Sequence, residues 1–276
     1  MSFRYQRRYN GPVQAVIFDW AGTTVDFGCR APVTAFLRLF EEESIRATVE
    51  EARRPMGAHK RDHIAMMLAM ESIASQWREI HGEDATHEDI ERLYQKSVPI
   101  QAEIVLEHGK LMPGLLDTME MLAERDILVG SSTGYSRRIM DGLIALAEDQ
   151  GYHPESVVCA DEVPEGRPAP WMAITSAMHL DVYPLESCVK IGDTVADVEE
   201  GLNAGMWTIG LTLTGNEVGL TEDEVAAASE DQLDILLTRA TRKLTQAGAH
   251  YVMETLDGLD LILDEIEGRL EAGERP

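Results

Sequence analysis

The sequence predicts an α/β protein: a doubly wound parallel sheet with a helical cap domain inserted after the first strand. Three observations predict it. Short apolar runs recur along the chain and stop at polar or turn-forming residues. Helical patterns separate most of these runs, as a parallel sheet covered on both faces requires. One long stretch, from about Arg30 to Gly109, holds helical patterns and no convincing strand.

The first run, VQAVIFD (Val13–Asp19), reads as a buried strand ending on a carboxylate. The insert follows, with helices expected over Pro32–Glu43, Lys60–Ile80 and His87–His108. The core resumes with a helix over Gly114–Arg125, a strand over Ile127–Thr133 and a helix over Ser136–Asp149. Further strands are expected at Ser156–Ala160, Cys188–Asp193, Met206–Leu211 and His250–Leu256. Helices over Pro170–His179, Ala196–Ala204 and Glu222–Ala247 lie between them. The polar EGRLEAGERP is expected to fray, and Gly215–Ala228 receives no role. This divides the chain into a core of residues 1–29 and 110–276 and a cap of residues 30–109. Ligands of such sheets bind beyond the carboxyl ends of the strands, where the insert would act as a lid.

Composition narrows the function. The 276 residues carry 24 basic and 49 acidic side chains, a net charge of −25. That surface repels nucleic acid and anionic membranes, so neither is an expected partner. A small anionic substrate would need a locally positive pocket. Cys29, Cys159 and Cys188 are odd in number and have no metal-type spacing, which fits a reducing cytoplasm. MSFRYQRRYNGP lacks the apolar segment of a secretory signal. No apolar run approaches a membrane span.

The strand ends collect an ordered set of reactive groups: Asp19, Thr133 in SSTGY, Arg167 in EGRPAP, and Asp193 in IGDTVAD with Asp197 four residues on. This set resembles the haloacid dehalogenase superfamily. The resemblance implies an aspartate nucleophile, Mg²⁺ and phosphoryl transfer. Asp19, Asp193 and the Ala21 carbonyl would give a hard cation oxygen ligands. Thr133 and the Gly134 amide would bond the transferring oxygens, with the amides of Trp20–Thr23 as an anion nest. Thr133 is alternatively a helix N-cap. Arg167 supplies a charge that the superfamily more often takes from lysine. Asp197 is expected to cap or orient.

Ala21 departs from the superfamily's phosphatases, which carry there an acid that protonates the departing alcohol oxygen. Such a proton is worth roughly 10²–10⁴-fold in rate. An alanine there suggests that the leaving group is not an alkoxide; one alternative is carbon, whose electrons an iminium could take, and that alternative demands a lysine. Five lysines are present. Lys190 lies mid-strand and faces an edge or a partner acid. Lys243 looks solvated, Lys96 falls mid-helix, and Lys110 sits at the return junction, within possible reach of the site. Lys60 is best placed: it follows PMGAH and opens a helix, whose N-terminus disfavours the ammonium form. His63 shares its face and could relay a proton.

FDWAGTTVD, ARRPMGAHKRDH, STGY, EGRPAPWM and KIGDT together resemble the phosphonoacetaldehyde hydrolase (phosphonatase) family. The resemblance implies hydrolysis of a C–P bond, with Asp19 as nucleophile and Lys60 as the Schiff-base lysine. It sets Met56, His63, Cys29 and Tyr135 near the substrate and implies a homodimer paired through the cap. The alternative enzyme is a Mg-dependent phosphatase for a small phosphate ester. A binding protein that keeps the fold without turnover is the alternative from another class.

Overall fold

The computed structural model describes residues 9–276. The opening MSFRYQRR, part of both the signal-peptide reading and the core boundary, lies outside them. Six strands form one parallel sheet: β1 (Ala15–Phe18), β2 (Leu128–Thr133), β3 (Ser156–Cys159), β4 (Cys188–Gly192), β5 (Trp207–Leu211) and β6 (Tyr251–Met253). Their order is β3-β2-β1-β4-β5-β6. The chain winds outward from β1 through β2 to β3, then returns to β4 and winds the other way. A crevice therefore opens between the carboxyl ends of β1 and β4, the place where α/β sheets bind ligands.

Five helices intervene between β1 and the rest of the core: α1 (Arg30–Glu42), α2 (Val49–Arg53), α3 (Lys60–Leu68), α4 (Glu71–His81) and α5 (His87–Glu107). The core helices are α6 (Leu115–Glu124), α7 (Arg137–Asp149), α8 (Trp171–His179), α9 (Val195–Ala204), α10 (Glu222–Ala227), α11 (Glu230–Ala247) and α12 (Leu259–Glu271). The two crossings into the insert lie side by side. Val25 bridges Leu111, and the Asp26 amide donates to the Lys110 carbonyl at 3.3 Å. Asp26 also caps α1, because its carboxylate accepts from the amides of Arg30 and Ala31, both at 2.9 Å. Apolar burial is continuous across the crossing, from Phe18 of β1 through Phe36 of α1 to Trp77 of α4.

Three expectations about elements need correction. The run Lys60–Ile80 is two helices, broken at Ala69 and Met70. The run Glu222–Ala247 breaks at Ala228, and Ser229 caps the second piece with a capping box to Gln232. EGRLEAGERP does not fray from its start. α12 continues to Glu271 because Leu259, Leu263, Ile266 and Leu270 form a buried stripe at helical spacing.

Candidate active site

Asp19 stands one residue past β1, Thr133 ends β2, and Asp193 stands one residue past β4. The insert lowers Met56, Gly57 and Lys60 onto these strand ends. Between them lies a small cavity of about 20 Å³. Glycines allow this approach. A Cβ on Gly57, whose φ is +88°, would stand 2.4 Å from Thr194 Oγ1. One on Gly134 would stand 3.1 Å from the Ala58 carbonyl oxygen.

Arg167 is the electrostatic centre of the floor. Its guanidinium reaches Asp19 Oδ1 at 2.7 Å, Asp197 Oδ1 at 3.0 Å and Glu200 Oε2 at 2.9 Å, and it donates to the Ser132 carbonyl at 2.8 Å. Burial works against its charge, but the three carboxylates outweigh burial and hold it protonated. Lys190 turns to Asp197 at 2.8 Å, so it meets a partner acid as expected. Asp197 caps α9 through the Thr194 hydroxyl at 2.6 Å and the Thr194 amide at 3.2 Å. Its oxygens are thus occupied by protein donors, which makes it an orienting group. Burial raises the pKa of Asp19, as does Asp197, while Arg167 and Lys190 oppose them.

Asp193 differs from these. Its Oδ2 accepts the Asn216 amide at 2.7 Å, while its buried Oδ1 meets no hydrogen-bond partner among the described residues. Burial, then Asp19 and Asp197, push its pKa well above the ordinary carboxylate value. Carboxylate oxygens of Asp19, Asp193 and Asp197 lie within 4.8 Å of one another. An orphaned carboxylate oxygen in a buried acidic cluster fits a hard divalent cation such as Mg²⁺. Ala21 lines the same cavity.

Lys60 is 4% exposed and opens α3. Its Nζ lies 4.5 Å from the Tyr135 ring centroid and 5.8 Å from that of Phe36. Burial lowers its pKa from the ordinary 10.5, with Cys29 and Asp19 opposing. The other lysines are committed elsewhere. Lys96 pairs with Glu43 at 2.7 Å and Lys190 with Asp197. Lys110, expected within reach of the site, instead points outward to Glu222 at 2.8 Å, and Lys243 is held by Glu217 at 2.7 Å rather than merely solvated. Lys60 alone of the five has no ion pair among the described residues.

Cys29, Met56, Thr133, Gly134, Tyr135 and Arg167 all line the cavity. His63 does not. It is fully buried behind Lys60, stacked on Phe36 at 3.8 Å, with Nε2 2.9 Å from the Ala52 carbonyl oxygen. The expected place of His63 near the substrate is therefore corrected to one outside the cavity lining. Thr133 does not cap α7. Its hydroxyl accepts the Tyr135 amide at 3.2 Å, and Asp161 accepts the Arg137 amide at 2.8 Å. The expected nest is narrower too: the Gly22 amide donates to the Val25 carbonyl and that of Thr23 to the Trp20 carbonyl. That leaves the amides of Trp20 and Ala21. Sequence reading missed Pro32, Gly57 and Thr194 in the wall, Glu200 beneath Arg167, and Asn216 behind Asp193. The glycine in PMGAH was a usable signal for the wall; the partners of Glu200 and Asn216 come from distant segments.

A family model for haloacid dehalogenase-like hydrolases matches residues 13–205, and a second, related model matches residues 165–254. A phosphonoacetaldehyde hydrolase of Hahella chejuensis is 45% identical over 276 residues, covering 100% of this chain and 94% of its own. A phosphonoacetaldehyde hydrolase-like protein of Syntrophobacter fumaroxidans is 45% identical over 274 residues, covering 99% of each chain. The crystal structure of a phosphonoacetaldehyde hydrolase-like protein from Oleispira antarctica superposes with a TM-score of 0.98 at 42% identity over 100% of both chains.

Proposed function

Starting from a chain that belongs to the haloacid dehalogenase-like hydrolases and, within them, to the phosphonoacetaldehyde hydrolases, we propose that it hydrolyses the C–P bond of phosphonoacetaldehyde to acetaldehyde and phosphate, using an imine on Lys60 and a phosphorylated Asp19. The observation that carries this is the state of Lys60: buried in the cavity, without an ion pair, its pKa lowered. Such an amine is available as a nucleophile. The neutral amine attacks the aldehyde carbon, and loss of water gives the imine, which takes up a proton. Asp19 attacks phosphorus. The C–P bond breaks, and its electron pair enters the iminium to leave an enamine on Lys60. One water cleaves the aspartyl phosphate. The enamine is protonated at carbon, and a second water releases acetaldehyde and regenerates the amine. One water is consumed overall.

Ala21 then has its reason, since the iminium takes the electrons that a leaving alkoxide would need a proton to stabilise. Mg²⁺, held by Asp19, Asp193 and the Ala21 carbonyl, would neutralise phosphonate charge as one anion approaches another. Arg167 holds Asp19 in place. Thr133 and the Gly134 amide would receive the transferring oxygens, while Met56, Cys29 and Tyr135 would surround the two-carbon portion. His63, packed against Phe36, would keep α3 in register rather than touch substrate. We assign residues 30–109 to a cap that closes over a core of 1–29 and 110–276. The half-exposed Met66, beside Pro55 and Met70 on the cap, supports pairing of two caps in a homodimer; sedimentation of a Met66→Asp variant as a monomer would agree, and a monomeric parent protein would not. No helix among the described residues is long and apolar enough to cross a membrane. The three free cysteines favour a cytoplasmic setting.

The decisive experiment is borohydride reduction in the presence of phosphonoacetaldehyde and Mg²⁺, followed by peptide mass mapping. A reduced two-carbon adduct on Lys60 is expected. Phosphate release with no adduct on any lysine would overturn the imine route and favour the ester phosphatase.

A further inference from the structure

The stretch Gly215–Ala228, which has no role in the sequence reading, begins beside the crossings between core and insert. The Gly28 amide donates to the Thr214 carbonyl at 2.7 Å. Arg30 lies 3.4 Å from the Gly219 carbonyl oxygen and 3.7 Å from Glu224. The densest contact is made by Arg53, the last residue of α2. Its guanidinium donates to Asn216 Oδ1 at 3.0 Å, the Asn216 carbonyl at 3.3 Å, the Gly219 carbonyl at 3.0 Å and the Cys29 carbonyl at 3.5 Å. Asn216 Nδ2 returns a bond to the Arg53 carbonyl at 3.5 Å. Gly219 is shaped to this contact: its φ is +70°, and a Cβ there would stand 2.7 Å from Arg53 Cζ.

Arg53 sits at one end of the loop that ends at Lys60, and Asn216 sits directly behind Asp193. One side chain therefore ties the segment carrying the insert's amine to the segment whose Asn216 amide braces Asp193 through its Oδ2. A planar guanidinium suits several converging carbonyl oxygens as an ammonium does not. Resting on the cap-and-core reading above, we propose that Arg53 is a positioning residue that latches the cap closed over the strand ends, with Asn216–Gly219 as its keeper. Closure then delivers Lys60 and steadies Asp193 together.

Cysteine labelling tests this without substrate. Cys29 lies in the closed cavity, whereas Cys159 and Cys188 are buried in β3 and β4 of the core and serve as internal controls. N-ethylmaleimide modification of the whole protein is followed for each thiol by peptide mass mapping. Arg53→Ala should speed Cys29 labelling roughly tenfold or more, the scale of losing charge-assisted hydrogen bonds, and leave both controls unchanged. Arg53→Lys should fall between. Gly219→Ala displaces the guanidinium and removes no atom, so it should also expose Cys29. Acceleration by Arg53→Ala but not by Gly219→Ala would mean a hole was cut rather than a latch released, and would overturn the proposal. An unchanged Cys29 rate, or equal acceleration of all three thiols, would overturn it as well. Because no phosphonate is used, the latch and the C–P reaction stand or fall separately.

Discussion

The chemistry proposed for Lys60 depends on what surrounds it. A lysine beside two aromatic rings and no carboxylate partner is desolvated, and desolvation favours the neutral amine. Imine formation needs that amine, so kcat/KM for phosphonoacetaldehyde should rise with pH along a limb whose midpoint lies below the ordinary lysine value of 10.5. A midpoint at or above that value would contradict the role. Lys60→Arg keeps the positive charge but cannot form the imine, and should lower phosphate release by at least about 10³-fold. Lys60 stood out as the candidate in the sequence because only five lysines were available and one opened a helix after a glycine turn. His63 was misread because helical spacing gives the face a residue shares, not what packs against it. Phe36, on another helix, closes that side.

Among elements, the start of α1 carries a testable tension. Asp26 is buried and caps the helix, and burial raises its pKa to about 7 against the helix amides that lower it. Its neighbour across the crossing, His108, lies 3.5 Å away and is also pushed by burial toward its neutral form. A carboxyl with a raised folded pKa contributes stability that is complete below the unfolded value, near 3.8, and is lost as pH rises to about 7. The stability advantage of the parent over Asp26→Asn should therefore shrink between about pH 4 and pH 7, with a slope of at most about 1.4 kcal/mol per pH unit. Urea unfolding at several pH values reads this directly, and a flat difference would refute it. Strands were legible to within a few residues because each is an apolar run closed by a turn. The breaks at Ala69 and Ala228 were not, because alanine does not announce the end of a helix. α12 was legible and misread, its four-residue apolar stripe hidden among acids.

For the whole molecule, the acids gathered at the strand ends predict how a cation affects stability. Without one, Asp193 is buried beside Asp19 and Asp197. Mg²⁺ should raise the thermal midpoint at neutral pH, by an amount equivalent to about 2.7 kcal/mol at a hundredfold excess over Kd. Asp193→Asn should abolish that response while raising the midpoint of the metal-free protein, since it removes a buried carboxyl whose ionisation burial, Asp19 and Asp197 all oppose. Calorimetry with and without Mg²⁺ measures both, and an unchanged midpoint for the parent protein would count against the cation site.

The sequence by itself indicated the six strands and the place of the insert, and offered Asp19, Lys60 and Asp193 as candidates, because each sits beside a local signal: a strand end, a helix start or a turn. The tertiary structure decided what those residues meet. Glu200 beneath Arg167, Asn216 behind Asp193 and Arg53 across the crossing are bonded to partners far along the chain. No local periodicity encodes such pairs. They exist only once β1 and β4 stand side by side and the insert folds back over their ends.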